Sequence, residues 1–148
     1  MSEQKDSKKD LLEVFNEQRR SISKEIKVGV KLLEDSKNIP EIQVTFMSLR
    51  QRLVEDNHAL IEHYNRLNKR FRDRRGEEWV NVSTNGQYRY QSTEKAVVVD
   101  SNSSLSELKL RIEQVENHIN FYTESLKTVD SVLFGLRVRL DVDKLYQL

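Results

Sequence analysis

Apolar residues recur along this chain in steps of three and four, the spacing that gathers them on one face of an α-helix. From about Asp10 to Glu34, Leu11, Phe15, Ile22, Ile26 and Leu33 share such a face, and Gly29 is a local weak point in it. The pattern stops at Asp35-Ser36-Lys37-Asn38-Ile39-Pro40. Proline cannot continue a helix but fits the first turn of a new one, and Asn38 is placed to cap it. A helical hairpin is the expected result. The spacing predicts a second helix from about Pro40 to Arg75, carried by Ile42, Phe46, Leu49, Leu53, Leu60, Leu67 and Phe71. Asp56 interrupts that stripe, and a polar residue at a seam position lowers stability while helping to fix register. Gly76 is the expected stop.

The period then changes. Trp79-Val80-Asn81-Val82-Ser83 and Gln87-Tyr88-Arg89-Tyr90 flank Asn85-Gly86, the dipeptide most favourable to a two-residue hairpin turn. The pattern predicts a small β-hairpin with Trp79, Tyr88 and Tyr90 on one surface and Val80, Val82 and Arg89 on the other. Residues 95 to 100, KAVVVD, read as a third extended segment. A lone two-stranded hairpin is marginal in water, so this one has to lean on a helix, a third strand or another subunit.

Beyond the polar connector Ser101-Asn102-Ser103-Ser104, Ser104 and Glu107 have the spacing of a capping box. Leu105, Leu108, Ile112, Val115, Ile119, Tyr122, Leu126, Val129, Leu133, Leu136 and Leu140 then alternate by three and four without a miss. Such a helix is roughly 50 Å long and has a narrow seam that another helix covers best. Two arrangements would cover it: self-association, making these eleven residues the oligomer contact, and an intrachain bundle. The fold expected is mainly α, of long coiled-coil-like helices with a β-hairpin inserted before the C-terminal helix. Its segments are a helical hairpin with a basic end (1–76), the β-hairpin and linker (77–103) and an oligomerisation helix (104–148).

Composition agrees: of 148 residues 36% are apolar and 33% charged, with four glycines and one proline, a profile of long amphipathic helices. The absence of cysteine excludes disulfides, thiol catalysis and thiolate metal sites. The opening MSEQKDSKKD lacks the apolar core of a signal peptide, and no apolar run reaches membrane-spanning length. A soluble, cytoplasmic protein without a membrane partner is expected. His58 and His63 are five apart, which turns them away from the shared face of an i, i+4 metal pair. No glycine-rich phosphate loop, nucleophile elbow or pair of carboxylates in a cleft appears. The expectation is a binding or assembly protein, not an enzyme, with no cofactor and no metal.

Charge adds the sharpest feature. In Arg66-Leu-Asn-Lys-Arg-Phe-Arg-Asp-Arg-Arg75, six cations stand against Asp73, a formal +5 in a chain whose total is +1, which leaves −4 elsewhere. Like charges at i, i+3 and i, i+4 repel. One reading is a solvated helix end whose cations suit the negative pole of the helix dipole and pair with Glu77 and Glu78. The other is a polyanion site, in which engagement of about six phosphates gives a log–log salt slope near −5. Trp79, Tyr88 and Tyr90 would offer faces on which unpaired bases stack, with Arg89 and Lys95 reaching the backbone, so single-stranded DNA is the polyanion this arrangement favours. The competing role for those aromatics is packing on the helices as core.

The order of elements resembles the UvsY family, the recombination mediators of tailed bacteriophages. The likeness runs from near Leu32 through the polar break EDSKNIP and a second helix ending in RLNKRFRDRRG. It continues through EEWVNV and YRYQSTEKAVVVDSNSSL to one long C-terminal helix, about three quarters of the chain. The resemblance implies a non-enzymatic protein of DNA recombination, repair and replication, acting in the host cytoplasm. It would bind single-stranded DNA, interact with the phage single-strand binding protein and help load a RecA-like recombinase. It also implies a homo-oligomeric ring held by the C-terminal helix, with DNA contacts around Arg66, Lys69, Arg70 and Arg72. A longer N-terminal extension and a fuller Asn-Gly hairpin depart from the family pattern. The alternative is a structural coiled-coil adaptor or virion component whose basic segment pairs with an acidic partner protein.

Overall fold

The computed structural model describes residues 10–34, 39–85 and 91–147, and these form four α-helices: α1 (Leu11–Leu32), α2 (Ile39–Asn85), α3 (Ser92–Asp100) and α4 (Ser103–Tyr146). Among the described residues there is no strand, and the fold is mainly α. The chain divides into two compact units, one of residues 1–56 with 120–148 and the other of residues 57–119.

In the first unit α1, the start of α2 and the end of α4 bury Phe15, Ile22, Ile42, Phe46, Leu49, Leu53, Val129 and Leu136, the positions that the steps of three and four select. Arg50 Nε donates to Asp130 Oδ1 at 2.6 Å, Arg52 pairs with Glu25, and Arg139 Nη1 donates to the Leu33 carbonyl at 3.1 Å. These partners run α1 and α4 antiparallel to α2. Gly29 is a point of close approach, because the edge of the Phe46 ring comes too near to leave room for a Cβ at position 29.

Asp56 also finds its purpose here. It accepts a hydrogen bond from the Tyr122 hydroxyl, so the polar break in the α2 stripe faces the one phenol in the α4 seam. Tyr122 is buried; burial first, then the Asp56 charge and hydrogen bond, push its hydroxyl up to about 12 from 10.0, against a smaller opposing effect of Arg52. A folded-state value above the unfolded one means stability that is fully present below pH 10 and lost as pH rises towards 12. The expected result is a decline in unfolding free energy across that alkaline window. In Tyr122→Phe the contribution of this residue to the decline disappears, while stability at pH 8 falls by only about 0.5–1.5 kcal/mol, because the exposed Asp56 carboxylate exchanges its lost donor for water. Denaturant titrations at pH 8 and pH 11 check both.

In the second unit the remainder of α2, α3 and the start of α4 bury Leu67, Val99, Leu105, Leu108, Val115 and His118. Four expectations are corrected here. Gly76 does not stop α2, which runs on to Asn85; among the described residues no glycine has positive φ, and Ser83 and Thr84 hydroxyls donate to the carbonyls of Trp79 and Val80 at 2.7 and 2.8 Å, as residues inside a helix do. The β-hairpin is not formed by its described parts: residues 77–85 and 92–100 are helical, while the centre of the turn, with Tyr88, Arg89 and Tyr90, lies outside the described residues, as does Asn38. KAVVVD is likewise not extended but belongs to α3, where Val99 is fully buried and Gln91 with Glu94 forms the capping box. Strand propensity is a preference for a half-buried surface, and packing of a helix against α2 satisfies the same side chains. At α4 the cap is Asn102, whose Oδ1 accepts from the Ser104 and Leu105 amides at 2.9 and 3.4 Å, two residues before the Ser104 of the expected Ser104/Glu107 box.

Along α4, Leu108, Val115, Tyr122, Val129 and Leu136 recur every seventh residue and are buried by the chain's own packing, as is Leu105. The other half of the seam, Ile112, Ile119, Leu126, Leu133 and Leu140, is only half-buried. His118 and Ser125, one position before Ile119 and Leu126, are buried instead, so the covered face is turned towards them.

Candidate nucleic-acid interface

The ten residues Arg66–Arg75 lie inside α2, in the second unit, and helix phase sorts their charges. Leu67 is buried and Phe71 half-buried, which defines the inner side. Arg74 and Arg75 border that side and are half-buried themselves. Both are engaged within the protein: Arg74 Nη1 lies 3.4 Å from Glu77 Oε2, and Arg75 Nε donates to Asp100 Oδ1 at 3.0 Å. Arg66, Lys69, Arg70 and Arg72 point outward and are exposed, and among the described residues none of the four takes part in an ion pair. Lys69, Arg66 and Arg70 span about 100° of the helix circumference and Arg72 lies about 60° beyond Lys69. The patch is one and a half turns long, because Asp73 and Glu77 follow on the same outer arc.

The +5 of the segment is therefore divided. Two cations are spent on internal ion pairs, and four are left to solvent at spacings where they repel one another by a few tenths of a kcal/mol per pair. Exposed ion pairs of the Arg74–Glu77 kind contribute about 0–1 kcal/mol, so the fold gains little from the cluster as a whole.

Trp79 follows Arg75 by one turn and is half-buried, not an open platform. Lys95 Nζ of α3 stands 4.6 Å from its ring centroid and Arg75 Cζ stands 6.0 Å away. With Arg75–Asp100, this clamp holds α3 on α2. Of the aromatic surface expected from Trp79, Tyr88 and Tyr90, only Trp79 lies among the described residues, on a helix and between two cations. Each such cation–π contact is worth about 0.5–1 kcal/mol at an exposed site, so the clamp is a modest tie between the two helices.

Sequence reasoning missed two features. One is the tie between Lys95, Trp79 and Asp100, which depends on α3 being a helix. The other is a second apolar line on α4: Phe134, Val138, Val142 and Leu145 are exposed at steps of four, four and three, on the side away from Val129 and Leu136. That spacing is visible in the chain, but the unbroken heptad series beside it dominates the pattern. No group of three or more His, Asp or Glu among the described residues could hold a metal ion, and no helix there is long and apolar enough to cross a membrane. Comparison with models of known families, with curated proteins and with solved structures finds no match.

Proposed function

We propose that this protein binds single-stranded nucleic acid through the outer face of α2 and acts without catalysis, as a recombination mediator of the UvsY type. The observation that carries the reading is the set of four exposed cations, Arg66, Lys69, Arg70 and Arg72, without ion pairs among the described residues beside a half-buried tryptophan. A folded protein gains nothing from like charges held at repelling distances, whereas a polyphosphate gains counterion release from each one it neutralises. The aromatic neighbour favours unpaired over paired strands, since the bases of a duplex are already stacked.

Four cations make a weak site, and repetition in a homo-oligomer turns weak contacts into useful avidity. The half-buried positions Ile112, Ile119, Leu126, Leu133 and Leu140 and the exposed line from Phe134 to Leu145 support self-association along α4. In this role the assembly would hold the strand while a single-strand binding protein is exchanged for a RecA-like recombinase. The test is a fluorescence anisotropy titration with a labelled oligothymidylate in low salt, followed by competition with unlabelled duplex. Saturable binding that duplex displaces poorly is the expected result; no binding, or equal competition by duplex, overturns the proposal.

A second reading, a helical adaptor in a protein assembly, is favoured by the exposed apolar line of α4. It predicts a stable complex with another helical chain and an absorbance ratio at 260 and 280 nm free of nucleic acid when the protein is purified without nuclease.

A further inference from the structure

Gly76 sits in the interior of α2, where glycine is a poor choice, and nothing in the fold asks for it. Its φ is not positive, and a Cβ built on it meets no atom within 4 Å, in contrast to Gly29, whose hydrogen makes room for a ring. It does, however, border a shallow cleft of about 250 Å³ whose other walls are Arg72, Arg75 and Trp79. Bare main chain in a helix, flanked by two guanidinium groups and an indole, lets a ligand approach more closely than any residue with a side chain would.

We infer that this cleft receives one nucleotide unit of a single strand, the phosphodiester lying over Gly76 between Arg72 and Arg75 and the base against Trp79 in place of Lys95. The inference rests on the proposed single-strand binding and assigns its docking point. Arg72 belongs both to the outer patch and to the cleft, so a strand following Arg66, Lys69 and Arg70 is led into it. Arg75 keeps donors for a phosphate beyond the Nε that it gives to Asp100, because a guanidinium has five. A side chain at position 76 would project into the open space that the phosphate needs.

The discriminating variant is Gly76→Ala, for which stability and binding should move in opposite directions. Alanine is the better helix former, so the thermal midpoint is expected to rise by about 2–4 °C. Affinity for a labelled oligothymidylate is expected to fall five- to tenfold, because the methyl group occupies the cleft. Gly135→Ala, also in a helix with nothing within 4 Å of the added Cβ, serves as the control and should gain stability with unchanged affinity. Trp79 is the only tryptophan, so its fluorescence should be quenched by the strand in the unaltered protein and less so in Gly76→Ala. Equal affinity of Gly76→Ala and the unaltered chain, or an equal loss in Gly135→Ala, overturns the inference while leaving single-strand binding intact. Absence of binding by the unaltered chain overturns the reading beneath it.

Discussion

Replacing Arg66, Lys69, Arg70 and Arg72 together by alanine is expected to weaken single-strand binding by about three orders of magnitude at 0.1 M salt. Each cation that meets a phosphate on a single strand contributes about −0.7 to the log–log salt slope, so four of them account for nearly −3. The same variant is expected to keep its helical signal and its oligomer mass in light scattering. It is also expected to melt no lower than the unaltered chain, because removing repelling pairs and adding alanines favours the helix. The combination separates a binding surface from a structural one. If the four side chains held the fold or the assembly, mass or melting temperature would fall with the affinity. If they were merely solvated, nothing would change. A variant of Arg74 and Arg75 should behave differently, losing stability as well as affinity, since those two already hold Glu77 and Asp100.

The second large effect concerns the core. Gly29→Ala is expected to destabilise the protein by about 1–3 kcal/mol, although alanine is intrinsically the better helix residue, because the added methyl overlaps the edge of the Phe46 ring. Phe46 is 1% exposed, so the ring cannot move into solvent without uncovering the centre of the first unit. Phe46→Ala is expected to cost about 3–5 kcal/mol. In that background Gly29→Ala should cost nothing or stabilise slightly, as the helix gains alanine and meets no ring. Urea unfolding of the two single variants and the double gives the cycle, and a coupling of at least 1 kcal/mol is the predicted result. Additive losses would mean that Gly29 and Phe46 are not packed against one another. Gly29 and Gly76 thus call for glycine for opposite reasons, the first filled from within the fold and the second open to solvent.

Much of this architecture is legible in the order of residues. The steps of three and four that end at Leu33 and restart at Ile42 place α1 and α2, and the series from Leu105 to Leu140 places α4, because amphipathic periodicity is the physical cause of helix packing as well as its signature. The stretch from Glu77 to Asp100 was legible only in part. Trp79, Val80 and Val82, followed by Asn85-Gly86, carry real strand and turn preferences, but those preferences are weak beside the burial of Val99 and the seating of Lys95 on Trp79. Which of the six cations are free follows from helix phase. Arg74 and Arg75 border the Leu67/Phe71 side and are drawn inward, whereas the other four are carried outward. The partner of Asp56 was hidden, because Tyr122 is distant in the chain and looks apolar in a periodic count.

The salt dependence of oligothymidylate binding by the unaltered protein tests the central claim most directly. Association constants measured from 50 to 200 mM salt should fall on a log–log line of slope about −3 for each subunit that engages the strand. A slope near zero would contradict the account, since binding would then not depend on the four exposed cations of α2.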